Sequence, residues 1–373
     1  MLKIKPKRHV KFSAASKSLF FSTLKKRVDF YFKEKNVSIH ANKKMIVKSI
    51  ILLALYVTPF LCILLLQPPF LMGLVFWLVM GLGLAGIGMS VMHDANHSAF
   101  SAIKWVNSVI GYSLNLVGGS VFNWKLQHNI LHHTYTNIVG MDEDIEDRLV
   151  LRFSPHTKVK FYHRLQWIYA FMFYGILTLY WVSLKDFIQF FKYIKSGLNS
   201  HSPGENILIF TKILAIKLVY FFCMLIAPTL FWGIPFYQIL TGFLLMHFVG
   251  GIILTTVFQL AHTVEGTSHP LPDEKGTIEN EWAIHQLNTT VNFSRESKWI
   301  SWYVGGLNFQ IEHHLFPKIC HVHYPQIAKI VKHTAEEYNI NYLENKTFYQ
   351  ALRSHLTTLH HLGRLPNINE ALV

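Results

Sequence analysis

"SIILLALYVTPFLCILLLQPPFLMGLVFWLVMGLGLAGIGMSVMHDANH", residues 49–97, decides the fold. No charged residue occurs from Ser49 to Met92. A helix rises about 1.5 Å per residue, so this run is too long for one bilayer crossing and suits two. Gln67-Pro68-Pro69 divides it, because proline cannot continue a helix. The spacing predicts helices over about 46–66 and 70–92, the second ending on a pair of histidines.

The surroundings agree. The chain has 373 residues, 51% hydrophobic and 15% charged, too apolar for an ordinary soluble protein. Residues 1–48 hold 14 Lys/Arg against Asp29 and Glu34. A span follows at once, so this basic segment, 1–45, reads as a cytoplasmic positive-inside flank, not as a nucleic-acid arm or a signal peptide. Further on, 166–184, 207–232 and 236–258 are apolar. If every histidine cluster faces one side, two of these cross. Gly233-Ile234-Pro235 makes an outer turn like Gln67-Pro68-Pro69, so the crossings are about 213–232 and 236–258. Residues 166–195, rich in Trp, Tyr and Lys, are then interfacial. The expectation is an all-α integral membrane protein with four transmembrane helices in two hairpins. A cytoplasmic helical cap would hold a di-metal site. The membrane domain covers 46–330, and 331–373 form a cytoplasmic C-terminal segment.

The chain has 22 histidines, and several are grouped. His93 and His97 are four apart just past a span. His128 and His132 repeat that spacing, with His133 alongside in "HNILHH". "QIEHH" (310–314) places Gln310 before His313 and His314, and His262 follows the last span. Any one of these is better read as a solvated or core residue. Three clusters at helical ligand spacing on one membrane face point instead to metal, and their number to two ions. "HEXXH" is absent, and the shell is nearly all nitrogen. Asp94, Asp142, Asp144 and Glu312 then suit acceptors that orient ring N–H groups, although a solvated loop would also use them. Cys62, Cys223 and Cys320 show no C-x-x-C spacing, which argues against disulfides and thiolate sites. "GLGLAG" (81–86) lies mid-span, where small residues serve helix packing, not dinucleotide binding.

"HDANH", "HNILHH" and "QIEHH" together resemble the three histidine boxes of the membrane fatty acid desaturases, over roughly residues 45–330. That resemblance implies two iron ions with O2 as co-substrate. It makes His93, His97, His128, His132, His133, His313 and His314 ligands, with His262 as the extra ligand after the fourth span. Gln310 would bind iron or a water through its carbonyl. The Gln form of the third box resembles the front-end desaturases, which place a bond between an existing one and the carboxyl end. No HPGG haem motif occurs in this sequence, so electrons would come from a separate carrier such as ferredoxin or a cytochrome b5-like protein.

The implied activity is desaturation of a CoA-linked or lipid-linked acyl chain at the cytoplasmic face of the bilayer. A di-iron hydroxylase would use the same boxes. A metal transporter or haem protein would place paired histidines within the spans, where only His247 lies, and that residue is expected to bond a neighbouring helix. His285 is expected to be structural. His321, His323, His360 and His361 lie outside the boxes. Phe100, Trp105, Trp124, Phe309 and Phe316 could line a substrate tunnel or anchor the interface. Arg152, Lys158, Lys160 and Arg164 could meet a headgroup phosphate.

Overall fold

The computed structural model describes residues 10–13, 19–146 and 150–366. Parts of the basic N-terminal segment (1–9 and 14–18), residues 147–149 and the tail 367–373 lie outside them. Helix α1 (Phe20–Lys35) buries Phe20, Leu24, Val28 and Phe32, one stripe at fourfold spacing, against Ile327, Val331 and Ala335. Helices α2 (Lys43–Leu66) and α3 (Phe70–Asn96) form the first hairpin. Asn42 caps α2 by accepting from Met45 N–H at 3.2 Å. Gln67 closes it in the left-handed region, φ 43°, before the prolines. The glycines of "GLGLAG" do serve packing. A Cβ on Gly83 would stand 2.7 Å from Tyr56 N, and one on Gly81 would stand 2.8 Å from Met246 O.

Helix α4 (Lys104–Gly111) precedes α5 (121–135), which carries the second box. Helices α6 (Phe161–Ser196), α7 (Pro203–Trp232) and α8 (Phe236–His262) follow. Helix α7 starts ten residues before the expected 213. Ser202 and Glu205 form a capping box there, with Ser202 N–H donating to Glu205 Oε2 at 2.8 Å. Helix α8 runs past 258 and so delivers His262 to the interior. Gln67 Nε2 donates to Trp232 O at 2.8 Å, joining the turns of the two hairpins at one end.

Among the described residues five helices are long and apolar enough to cross a membrane, α6 being the fifth. Both ends of α6 meet polar parts of the cap. Gln166 donates to Leu359 O at 2.8 Å, and Gln189 donates to Gln127 Oε1 at 2.8 Å and Glu143 Oε2 at 2.6 Å. Its middle lies on α8, where Thr178 Oγ1 donates to His247 O at 2.7 Å. His247 also bonds Tyr220 OH at 2.9 Å, the helix-to-helix bond expected of it. A π turn at Trp181–Lys185 interrupts α6 just before Asp186.

Asp186 takes the Lys217 ammonium of α7 at 2.5 Å and the Ser120 N–H at 3.0 Å, all buried. This knot joins α6, α7 and the start of α5. Asp186→Ala would leave a buried ammonium without a counter-charge, held only by the Gly118 and Trp181 carbonyls. A stability loss of about 3–5 kcal/mol is expected, read as a lower denaturant midpoint in detergent.

The remaining cap comprises α9 (Trp282–Thr289), α10 (Lys298–Tyr303), α11 (Gln310–Leu315), α12 (Tyr324–Glu337) and α13 (Phe348–Leu362). Two parallel strand pairs tie it together. Lys11–Phe12 pairs with Thr277–Ile278, and Asn292–Phe293 pairs with Glu344–Asn345.

Candidate metal centre

Each box sits on a short stretch of distorted or terminal helix. A π turn at Ile87–Val91 precedes His93 and His97, whose ring centres are 4.7 Å apart. The second box is itself a π-helix over Lys125–His132. Its bonds close from i to i+5, so the wider turn aligns His128 with His133. Their Nε2 atoms are 3.3 Å apart. The sequence reading paired His128 with His132 on a regular helical face. Helix α11 carries Gln310, His313 and His314, and the last residue of α8 is His262.

Seven of the eight histidines form two groups, and His128 and His132 also approach each other between them. Ligand atoms of His93, His97, His128 and His313 lie within 4.8 Å of one another, as do those of His132, His262 and His314. His133 lies between the groups with its Nε2 towards His128, and its ring centre is 4.5 Å from that of His313 and of His314. All eight are buried. The Nε2 atoms of His97, His132, His262, His313 and His314 are buried without a hydrogen-bond partner among the described residues. His93 Nε2 and His128 Nε2 face each other at 3.2 Å. Buried polar atoms are ordinarily paired, so bare Nε2 atoms turned to one interior are what a set of metal ligands presents. The donor set fits two metal ions.

Protonation favours the same use. Burial, then the charge of neighbouring histidines, pushes His128, His133, His313 and His314 well below the usual imidazole value, so they are neutral imidazoles, the form that can bind a metal. Several Nδ1 atoms have acceptors, which leaves Nε2 free. His132 Nδ1–H meets both Asp142 oxygens at 3.2 Å and Asp144 at 3.4 Å. Burial opposes a charged His132 ring, but these carboxylates outweigh it and raise its pKa. His314 Nδ1–H donates to Gln286 Oε1 at 2.8 Å, His313 Nδ1–H to Tyr324 OH at 3.2 Å, and His262 Nδ1–H to Thr289 O at 3.3 Å.

Sequence reading did not find Gln286, Tyr324 or Thr289, because nothing near the boxes marks them. Glu312, expected to accept from a ring N–H, accepts instead from Asn292 Nδ2 at 2.8 Å and Tyr342 OH at 2.9 Å. It follows Ile311 on a short helix whose next two residues turn to the histidine groups, so its carboxyl faces away. Burial pushes that carboxyl up to about 7. Asp94 lies 3.7 Å from His93 Nδ1 and takes its closest bond from His321, a residue outside the boxes. His285 belongs to neither group and packs on Phe12. Gln310 is buried against the His262 ring, with its amide nitrogen unpartnered.

A cavity of about 560 Å³ reaches His128. Leu151, Phe153, Phe173, Tyr174, Leu254 and Phe258 make its apolar wall, and Glu143, Glu146 and Lys192 stand at a polar side. Trp124 lines it and stacks on the His128 ring at 4.5 Å. The other aromatics considered for a tunnel lie elsewhere. Trp105 is exposed, whereas Phe309 and Phe316 pack with the cap core. Arg152 does not face a headgroup. It is fully buried and donates to Leu362 O at 2.5 Å, Leu365 O at 2.6 Å and Pro155 O at 2.8 Å, which pins the C-terminal helix.

Apolar helices beneath a buried imidazole interior define a multi-pass membrane protein with the means to bind metal. Comparison with known proteins narrows this class. Residues 68–346 match the family model described as Fatty acid desaturase. The sn-1 linoleoyl-lipid 6-desaturase of Arthrospira platensis is 35% identical over 91% of this chain and 91% of its own length. The enzyme of the same name from Synechocystis sp. is 35% identical over 92% and 96%. The acyl-lipid (8-3)-desaturase of Physcomitrium patens is 34% identical over 95% of this chain and 74% of its own. The chain belongs to the fatty acid desaturase family and is an oxidoreductase of lipid metabolism.

Proposed function

We propose that this chain is a di-iron, O2-dependent front-end desaturase acting on lipid-linked acyl chains. The observation that supports it most is the pair of imidazole groups, five of whose Nε2 atoms are bare, beside a largely apolar cavity that reaches them at His128. Lipid linkage and the front-end position rest on the names of the relatives and on the Gln form of the third box. His93, His97, His128, His133 and His313 would hold one iron. His132, His262 and His314, with Gln310 beside them, would hold the other.

When bound, the irons supply O2 activation and the removal of two hydrogens from neighbouring methylenes, with two electrons from a ferredoxin or cytochrome b5-like protein. The chain's own residues do the rest. The cavity wall holds the tail straight past His128 and keeps water out. Trp124 fixes one side of that passage, and Asp142 and Asp144 hold the His132 ring in register. The test is expression in a host whose lipids contain linoleate, with double-bond localisation in the fatty acid methyl esters. A new double bond on the carboxyl side of the existing ones is expected. A hydroxylated product, or a bond on the methyl side, would overturn this reading.

In the same reading α2, α3, α7 and α8 cross the bilayer, and α6 lies along the cytoplasmic side with the cap. Both ends of α6 meeting that cap is the supporting observation. With the native cysteines replaced, Ser200→Cys should be labelled from the cytoplasm and Gln67→Cys from outside. Labelling of Ser200→Cys from outside would make α6 a fifth crossing.

A further inference from the structure

Behind His93 stand three buried side chains from three separate parts of the chain. Lys48, in the second turn of α2, is 3% exposed, and its ammonium donates to His321 Nε2 at 2.8 Å. His321 Nδ1–H donates to Asp94 Oδ2 at 2.8 Å, and the His321 backbone N–H reaches the same oxygen at 3.2 Å. The other Asp94 oxygen lies 3.7 Å from His93 Nδ1. The far nitrogen of that ring, Nε2, faces His128 in the first metal group. His321 lies on the turn His321–His323, after α11.

Every donor in this chain points one way. The ammonium occupies the lone pair of His321 Nε2, so the imidazole carries its hydrogen on Nδ1 and gives it to Asp94. Asp94 is thereby kept as a buried carboxylate with one oxygen left for His93. Cys320 also comes close to Asp94 and His321. The three do not make a third metal site, because both His321 nitrogens are already engaged and a cation there would face the Lys48 charge. A metal-bound histidine ordinarily gives its second N–H to a carboxylate. His93 Nδ1 has no hydrogen-bond partner among the described residues, and 3.7 Å is only slightly beyond bonding reach. A small rotation of the ring on metal binding closes that gap.

We propose that Lys48 and His321 are positioning residues that hold Asp94 as the acceptor for His93 Nδ1–H, and so set how firmly the first iron is held. The proposal rests on the two-iron reading above. It links the cytoplasmic end of the first span to one metal and not to the other.

The experiment uses the full chain purified with iron in detergent. It measures iron per protein and the rate of iron loss to a ferrous chelator. His321→Leu keeps bulk but has no donor or acceptor. His321→Gln keeps an N–H for Asp94 and a carbonyl for Lys48. With His321→Leu and with Lys48→Met, one of the two irons should leave at least about ten-fold faster, the scale of outer-partner losses at metal sites, while the other leaves at the wild-type rate. His321→Gln should restore most of the retention, which packing alone would not do. If Lys48→Met does not fold, the Leu and Gln pair decides. Wild-type release rates in both His321 variants would overturn the proposal, as would equal acceleration in both. A wild-type protein that binds no iron would instead overturn the two-iron reading itself, and this inference with it.

Discussion

His132→Ala is expected to yield no desaturated product and to retain less iron than the wild type. His132 is one of three imidazoles in the second group among the described residues, so its loss removes a third of that group's nitrogen donors. Its removal also leaves Asp142 and Asp144 facing a gap where the ring N–H stood. The loss should exceed the roughly 10–100-fold typical of partners behind a ligand. Gas chromatography of total fatty acids reads the product, and metal analysis reads the iron. His313→Ala should do the same from the other group. His360→Ala is the control, because that ring packs near Trp167 and touches neither group. Turnover near wild type in His132→Ala would remove the second group from the reaction.

Gln310→Leu is the other change with a large expected effect. Gln310 is 1% exposed and lies against His262, beside the group with only three imidazoles. Leu nearly preserves volume, so packing changes little and any loss reports the polar end. Activity should fall to background, because a carbonyl that binds iron or orients a water is gone. Gln310→His supplies a nitrogen in its place and should retain part of the activity. Full activity in the Leu variant would show that this position only fills space.

The two helix pairs were legible because prolines and a glycine mark their turns and because charge is absent from Ser49 to Met92, although the second pair carries Lys217. The start of α7 was missed because an apolar run was read while the cap signal Ser202–Glu205 was not. The eight histidines were legible because ligand chemistry concentrates one residue type. Their division into two groups was not, since helical spacing pairs His128 with His132, whose ligand atoms do lie within 4.8 Å, whereas the π register also brings His133 to His128. The acceptors were legible only where they lie near a box in sequence, as Asp142 and Asp144 do. Gln286, Thr289, Tyr324 and His321 reach the site through tertiary packing, which leaves no local trace. Arg152 misled for the opposite reason. A basic residue near a membrane suggests a phosphate, whereas here it closes off backbone carbonyls.

The histidine doublets have a consequence for any attempt to re-engineer the centre. His313 and His314 fall in different groups, and His132 and His133 are divided in the same sense. Their ring centres stand 5.5 Å and 5.7 Å apart. Consecutive Cα atoms are held about 3.8 Å apart by the trans peptide unit. Two single peptide units therefore act as a ruler between the two imidazole groups, one in each of two elements remote in sequence. A ruler of covalent bonds does not stretch with temperature, lipid thickness or substrate length. The spacing of the two groups is thus set by chain connectivity, and inserting one residue inside either doublet would change that spacing while keeping every histidine in the chain.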